Sequence, residues 1–188
     1  MLAFRHRKAP QKFRIMKFET DRLILRPFKR SDLAHIIEYG TVPDFYRYLP
    51  IDHQTEDTIR AFFAERMQDQ KEGHPTRDTF AVTMKETDRI IGTIRLEILD
   101  LDNNTADIGY AMDLRFGGQG YMLEAVRRVL EYGYDERAIK TVWAVIHPDN
   151  VKSKKLTLRA GFHKTPPPDL PALLSKSSKD DCFYKTSR

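Results

Sequence analysis

Hydrophobic residues recur along this chain with two different periods, which separates predicted helices from predicted strands. In two segments they recur every three or four positions, as on one face of an amphipathic helix. These stripes consist of Ile59, Phe62, Phe63 and Met67, and of Leu123, Val126, Val129, Leu130 and Tyr134. Two shorter helices are predicted over residues 32–39, with Ser31 as the N-cap and Gly40 at the end, and over residues 150–160.

The other hydrophobic runs are short, and turn-forming residues separate them, as is typical of β-strands. They cover residues 20–28, 79–84, 90–98, 105–112, 141–146, 162–165 and 182–185. Short polar links at residues 86–88 and 102–104 predict an antiparallel meander, and residues 165–181 are predicted to form a loop. The order of elements predicts an α+β fold, a mixed central sheet of about seven strands with helices on both faces.

Composition adds that the chain has the size and character of an ordinary soluble protein. Its 188 residues suit one domain, and 40% hydrophobic with 31% charged residues argues against a disordered or fibrous chain. No apolar run is long enough to span a bilayer, and the N-terminus lacks the apolar segment of a secretory signal. Cys182 is the only cysteine, which excludes an intramolecular disulfide framework and a multi-cysteine metal site. We therefore expect a cytoplasmic protein without a membrane partner.

The positive charge of the chain is concentrated at its N-terminus. The net charge is +5, but residues 1–17 carry +6, so residues 18–188 carry −1. We interpret residues 1–17 as a basic arm and residues 18–188 as a single domain. Such an arm is most simply a solvated tail; alternatively it contacts RNA or another acidic surface, or Met16 is the natural start. A nucleic-acid partner is not expected for the nearly neutral domain.

The segment 108–125 passes from a predicted strand through a glycine-rich loop into a predicted helix. Gly117, Gly118 and Gly120 allow a tight turn, and the first amides of the following helix form a site for an anionic group such as phosphate. The loop is not a Walker loop, because no Lys-Ser or Lys-Thr pair follows it, and its spacing does not fit a dinucleotide-binding fingerprint. The alternative is that these glycines only make a sharp turn.

Three motifs in the same order resemble those of the GNAT acetyltransferases, and in particular the RimJ/RimL-like branch of ribosomal-protein N-acetyltransferases. The resemblance extends over about residues 18–185. The motifs are residues 19–28 as the opening strand, Arg115-x-x-Gly118-x-Gly120 with Tyr121, Glu124 and Ala125, and Asn150-x-x-Ser153 followed by Gly161-Phe162.

The resemblance implies that acetyl-CoA is the cosubstrate and that no metal is needed. It places the pyrophosphate on the backbone amides of Gly117, Gly118, Gln119, Gly120, Tyr121 and Met122. The pantetheine arm would pair in strand fashion with Tyr110, Ala111 and Met112. Arg115 is expected to add positive charge near the phosphates; otherwise it is a solvated surface residue.

Asn150 and Ser153 lie three positions apart at the start of the last long predicted helix, so both face one ligand. The resemblance implies that Asn150 contacts the pantetheine arm and that Ser153 protonates the departing thiolate. Many other GNAT enzymes use a tyrosine for that step, four residues further on, where this chain has Thr157. Asn150 is also a good N-cap, and the two roles are compatible.

The general base is not identified by the resemblance, because Val145 stands where the related enzymes have a glutamate. His147 follows two residues later, on the same strand face, and is our candidate for the base. The alternative is a histidine that merely packs at the strand end. Glu124 is another ionisable group near the loop, although a helix-start acid explains it equally well.

These observations predict an acetyl-CoA-dependent N-acetyltransferase that acts directly on a primary amine. The acceptor is a protein N-terminus or a small amine such as a polyamine, an amino acid or an antibiotic. Residues 42–51 and 164–181 are expected to line the acceptor pocket. The alternative functions are a non-catalytic acyl-CoA sensor or scaffold, which the valine at position 145 favours, and RNA or ribosome binding through the basic arm. Either a monomer or a homodimer is compatible with the sequence.

Overall fold

The computed structural model describes residues 16–188, which form eight strands and five α-helices. The strands are β1 (Phe18–Glu19), β2 (Leu23–Arg26), β3 (Arg77–Met84), β4 (Ile90–Asp100), β5 (Thr105–Met112), β6 (Thr141–Ile146), β7 (His163–Thr165) and β8 (Cys182–Ser187). The α-helices are α1 (Asp32–Gly40), α2 (Glu56–Glu72), α3 (Tyr121–Asp135), α4 (Val151–Arg159) and α5 (Pro171–Leu174). Short 3-10 turns cover Pro43–Tyr46 and Leu114–Phe116.

All eight strands belong to one mixed sheet with the order β1-β2-β3-β4-β5-β6-β8-β7. Neighbouring strands are antiparallel except β5 and β6, which are parallel. The parallel pairing runs only from Thr105 opposite Thr141 to Asp107 opposite Trp143. Beyond these residues β5 and β6 are not paired with each other. We call this opening between residues 108–112 of β5 and residues 144–146 of β6 the split.

Helices cover both faces of the sheet. Successive residues of a strand point to opposite faces, so neighbouring residues of β3 pack against different helices. In β3, Val82 belongs to the large core cluster that includes Val126 and Val129 of α3. Its neighbour Ala81 belongs to a second cluster, formed with residues of α1 and α2. The predicted α+β fold with helices on both faces is therefore confirmed.

The predicted first strand, residues 20–28, corresponds to β2, and the unpredicted strand β1 before it raises the total from about seven to eight. Thr20 closes a turn against Leu23: its backbone N–H donates to Leu23 O (3.0 Å), and its side-chain oxygen accepts from Leu23 N (3.0 Å). The chain reverses there, so that Phe18 and Glu19 pair antiparallel with β2.

Helix α1 begins at Asp32 with Ser31 at the N-cap position, as predicted, but Ser31 does not cap it with its side chain and the helix ends one residue later than predicted. Ser31 has helical backbone angles and makes no capping hydrogen bond with its side chain. Instead Asp32 accepts a hydrogen bond from Lys29 N (2.7 Å) and is paired with the buried guanidinium of Arg26 (2.8 Å). Gly40 lies inside the helix, and Thr41 is the C-cap.

A further correction concerns the predicted loop at residues 165–181, which contains α5. Pro171 supplies the fixed φ angle that favours a first helical residue. Leu173 is almost completely buried, in a cluster with Trp143 and Phe183, and this packing holds the short helix on the sheet. None of the helices between residues 16 and 188 has the length and apolar character needed to cross a membrane. The predicted basic arm lies outside the described residues, apart from Met16 and Lys17.

Candidate active site

The glycine loop predicted to bind phosphate leads directly into the N-terminus of α3. Gly118 and Gly120 have φ angles of 80° and 84°, in the left-handed region that favours glycine. A Cβ atom at Gly118 would have no neighbour within 4 Å, so the loop surface is open there. The first hydrogen bond of the helix is donated by Glu124 N to Gly120 O, so the amides of residues 121–123 remain free for an anion.

One of the six predicted phosphate-binding amides is already used. Gly117 N donates to Leu114 O at 3.1 Å and thereby closes the preceding 3-10 turn. We therefore remove Gly117 from the proposed amide donors, while the other five positions keep their predicted role.

Arg22, which sequence reasoning did not select, contacts this loop directly. Its Nη1 donates to the carbonyl oxygen of Gln119 at 3.0 Å, and its guanidinium lies 4.4 Å from the centroid of the Tyr121 ring. It also forms an ion pair with Glu124 (2.7 Å). A half-exposed cation, whose charge Glu124 partly balances, thus lies beside the free amides.

Glu124 anchors Arg22 to the start of α3. Its carboxylate accepts hydrogen bonds from Arg22 N (2.9 Å) and Arg22 Nε (2.8 Å), and a third from the Thr20 hydroxyl. Partial burial opposes ionisation, but the hydrogen bonds from Thr20 and Arg22 outweigh it and lower the pKa of Glu124. These contacts explain Glu124 as a structural anion without a role as base.

Arg115 is held by carboxylates in the structure. Its Nη2 lies 2.6 Å from Asp113 Oδ2, and its Nη1 lies 2.5 Å from Glu38 Oε1. Hydrogen bonding to Arg115 lowers the pKa of Glu38 to about 2, and the two carboxylates raise the pKa of Arg115. Its charge is balanced by these partners, so a role for Arg115 in binding phosphate remains a prediction.

Tyr110, Ala111 and Met112 lie in the part of β5 that borders the split. On the other edge of the strand they are paired with Ile94, Thr93 and Gly92 of β4. No strand of the described chain pairs with them on the edge that faces β6. The backbone there is free to pair with an extended ligand, and its pairing with the pantetheine arm stays a prediction.

Asn150 and Ser153 stand at the beginning of α4, beside the split. Asn150 is the N-cap, and its Oδ1 accepts a hydrogen bond of 3.0 Å from Ser153 N. The Ser153 side chain is buried, and its Oγ lies 2.7 Å from the hydroxyl oxygen of Tyr110. That phenol also lies 3.0 Å from Thr157 Oγ1. Burial raises the pKa of Tyr110, which keeps the phenol protonated at neutral pH.

His147 lies directly after β6, close to the start of α4. Its Nδ1 accepts a hydrogen bond of 3.1 Å from Asp149 N, and its ring centroid is 5.3 Å from that of Tyr48. This hydrogen bond occupies the basic lone pair of the neutral ring, so the remaining ring nitrogen carries the proton. His147 can act as a base only if this hydrogen bond opens. Tyr48 belongs to the predicted acceptor segment, so this segment reaches the end of β6.

Arg22 and the hydroxyl of Tyr110 are the two groups that sequence reasoning missed. Arg22 lies in a motif that was read only as an opening strand, and Tyr110 was assigned only a backbone role. Among residues 16–188, no three His, Cys, Asp or Glu side chains are grouped so that they could hold a metal ion.

Comparison with known proteins points to one family. The family model described as "Acetyltransferase (GNAT) domain" matches residues 22–163. A relative from Bacillus licheniformis, "Uncharacterized N-acetyltransferase p20", is 30% identical over 146 residues, which are 77% of this chain and 81% of that protein.

Two solved structures have the same fold. One is a ribosomal-protein-S5-alanine acetyltransferase from Vibrio fischeri, with a TM-score of 0.71, 20% identity, and coverage of 92% of this chain and 96% of that one. The other is the Microcin C7 self immunity acetyltransferase MccE in complex with acetyl-CoA and AMP. Its TM-score is 0.69 at 22% identity, and the match covers 90% of this chain and 94% of that one.

Proposed function

The chain belongs to the GNAT acetyltransferase family, and from that premise we propose that it transfers the acetyl group of acetyl-CoA directly to a primary amine. One observation carries this proposal. The free amides at the start of α3 lie at the end of a loop that continues from the unpaired edge of β5. A ligand with a phosphate at one end and an extended arm at the other fits such a surface. The complex of MccE with acetyl-CoA supports this choice of ligand.

The chemistry of the residues at this site suits acetyl-CoA. The amides of Gly118, Gln119, Gly120, Tyr121 and Met122 would hold the pyrophosphate, and the charge of Arg22 would reinforce them. Tyr110, Ala111 and Met112 would pair with the pantetheine arm along the split, and Asn150 would contact it from α4. Bound there, acetyl-CoA supplies an activated acetyl group as a thioester.

The chemistry left to the protein is proton transfer and stabilisation of charge. In the transfer, the acceptor nitrogen forms a bond to the acetyl carbon and the carbon–sulfur bond breaks. We assign a backbone amide near Met112 to the carbonyl oxygen, where negative charge develops. Ser153 would donate its hydroxyl proton to the departing sulfur, because its Oγ is the buried hydroxyl nearest the start of α4.

The acceptor must reach the split as a neutral amine, so a protonated amine first loses a proton. Among the side chains near α4, His147 is the candidate base. It can take this role once its hydrogen bond from Asp149 N opens. Ordered water is the alternative acceptor for this proton. Replacement of His147 by Gln distinguishes the two, because kcat/KM should fall if the imidazole is the base and stay unchanged if water takes the proton.

The acceptor itself is a protein N-terminus or a small amine. Val42, Tyr48 and Ile51 expose apolar side chains in the segment that reaches His147, which suits an acceptor with an apolar group beside its amine. The similarity to a ribosomal-protein-S5-alanine acetyltransferase makes ribosomal-protein N-terminal peptides the first acceptors to test.

The deciding experiment measures free thiol released from acetyl-CoA by the purified full-length chain. The acceptor panel contains N-terminal peptides, polyamines and amino acids, and calorimetry measures the Kd for acetyl-CoA in parallel. We expect binding together with thiol release that depends on one class of amine. Binding without thiol release for every acceptor would instead identify a non-catalytic binder, and absence of binding would overturn the proposal.

A further inference from the structure

A row of three hydroxyl groups connects β5 to α4 beside the split. Ser153 Oγ lies 2.7 Å from the Tyr110 hydroxyl, which lies 3.0 Å from Thr157 Oγ1. Thr157 and Ser153 are buried, with 1% and 9% of their surface exposed. Each hydroxyl has one proton to donate, so Tyr110 either donates to Ser153, donates to Thr157, or accepts a hydrogen bond from both.

The direction of the row decides whether Ser153 can act as an acid. If Ser153 donates to Tyr110, its only proton is committed to the phenol. If Thr157 donates to Tyr110 and Tyr110 donates to Ser153, the Ser153 proton is free for a group in the split. A hydrogen bond donated to Ser153 Oγ also stabilises the negative charge that develops when this proton leaves, which makes Ser153 a stronger acid.

We propose that Tyr110 is a positioning residue that donates its phenolic hydrogen bond to Ser153 and thereby directs the Ser153 proton to the sulfur of acetyl-CoA. This inference rests on the proposed function and adds to it a residue, Tyr110, whose hydroxyl acts through the hydroxyl of Ser153. The position is rigid, because Tyr110 is paired with Ile94 in the sheet and Ser153 N is held by the Asn150 cap.

The protons balance in this scheme. When the carbon–sulfur bond breaks, its electron pair stays on sulfur and takes the Ser153 proton. Tyr110 keeps its proton and its hydrogen bond to Ser153 Oγ, and Ser153 is reprotonated from solvent after the thiol leaves. Solvent, directly or through His147, has received the proton lost by the acceptor nitrogen, so no other reactant is required.

The first test is a double-mutant cycle in the thiol-release assay. Tyr110→Phe removes only the hydroxyl, and we expect kcat to fall about tenfold with KM for the amine unchanged within about twofold. Ser153→Ala should lower kcat about 100-fold, and the double variant should lose no more than Ser153→Ala alone, because Tyr110 acts only through Ser153. Tyr132→Phe is the matched control: it removes another buried phenol hydroxyl, bonded to Asp78 at 2.9 Å, and should leave kcat unchanged.

The second test does not depend on turnover. Free CoA is bound to each variant, and the pKa of its thiol is followed by the ultraviolet absorbance of the thiolate. A hydrogen-bond donor at the sulfur stabilises the thiolate, so Tyr110→Phe and Ser153→Ala should both raise this pKa, whereas Tyr132→Phe should not.

The outcomes separate the two proposals. Suppose that the original protein releases thiol. An unchanged kcat in Tyr110→Phe would then overturn the role of Tyr110 and leave the proposed function standing. Losses of kcat that multiply in the double variant would have the same consequence. An original protein that binds CoA but acetylates no amine would overturn the proposed function. In that case an unchanged thiol pKa in Tyr110→Phe would also overturn the hydrogen-bond direction, and a raised one would support it.

Discussion

Arg22 donates a hydrogen bond of 3.0 Å from its Nη1 to the carbonyl oxygen of Gln119, which joins the residue before β2 to the loop before α3. The same guanidinium is paired with Glu124 in the first turn of that helix. The contact therefore fixes the loop relative to the helix whose free amides form the anion site, and it adds a cation beside them.

Replacement of Arg22 by Ala should raise the Kd for acetyl-CoA about tenfold, which corresponds to about 1.4 kcal/mol. Arg22→Lys should have an intermediate effect, because an ammonium keeps the charge but lacks the planar fork that contacts Gln119 and Glu124 together. Calorimetry measures both values. The control is Arg60→Ala, which removes an exposed ion pair on α2. Equal affinities in all four proteins would contradict the assignment.

Gly118 and Gly161 provide a matched pair for testing the loop. Both have positive φ angles, 80° and 97°, and a Cβ at either position would have no neighbour within 4 Å. Each change to Ala should therefore lower the free energy of unfolding by a similar amount, about 1–2 kcal/mol, from backbone strain. Only Gly118→Ala should also raise the Kd for acetyl-CoA, by about tenfold, because its Cβ blocks the approach of phosphate to the backbone. The same affinity in both variants would show that the glycines serve only the turn.

Asn150 is expected to combine two roles that substitutions can separate. Its Oδ1 caps α4, and its amide group is proposed to contact the pantetheine arm. Asn150→Ser retains a good N-cap, so the melting temperature should stay close to that of the original protein while the Kd for acetyl-CoA rises. Asn150→Ala should also lose about 1 kcal/mol of stability. An unchanged Kd in Asn150→Ser would leave Asn150 with the capping role alone.

The sequence was sufficient for elements whose signal is local. The stripe from Leu123 to Tyr134 predicted α3, and the Asn150 cap followed from residue type at a helix start. The contacts that the sequence does not predict join residues that are far apart in the chain. Arg22 and Glu124 are 102 positions apart, and Tyr110 and Ser153 are 43 apart, so no periodicity or motif relates them. Ser31 stands at the N-cap of α1 as its residue type predicts, but its side chain makes no capping hydrogen bond, and no local pattern predicts the pairing of Arg26 with Asp32 beside it.

The stability of the protein in acid should depend on Glu97, which lies on β4 near Lys176. Burial opposes its ionisation, but the hydrogen bond from Lys176 (2.8 Å) and the charges of Arg95 and Arg77 lower the pKa of Glu97 to about 2. Because this pKa lies below the ordinary value of 4.5, ionised Glu97 stabilises the folded state above about pH 4.5. That contribution, on the order of 2 kcal/mol, should be lost as the pH falls from about 4.5 to about 2.

Thermal melts of Glu97→Gln between pH 7 and pH 2.5 test this expectation. The variant should be less stable than the original protein at pH 7, and the difference should shrink as the pH falls below about 4.5, because the unfolded state then binds a proton at Glu97 that the folded state does not yet bind. Glu56→Gln, at an exposed position of α2, is the control and should show no such convergence. A constant difference between the Glu97 variant and the original protein across this range would contradict the assignment.

Removal of residues 1–15 should leave the melting temperature and the Kd for acetyl-CoA unchanged. The described core begins with Met16, which packs against the main cluster, and with Phe18, whose ring centroid lies 5.0 Å from that of Tyr132 and 5.4 Å from that of Phe80. The truncated chain keeps both residues, and surface charges generally contribute little to stability. Phe18→Ala in the full-length chain is the contrasting variant and should lose about 3–5 kcal/mol of stability, because it leaves a cavity among these rings. If the truncated protein instead melts several degrees lower at matched concentration, the basic arm packs on the domain or on a second copy of the chain, and Met16 is not the functional start.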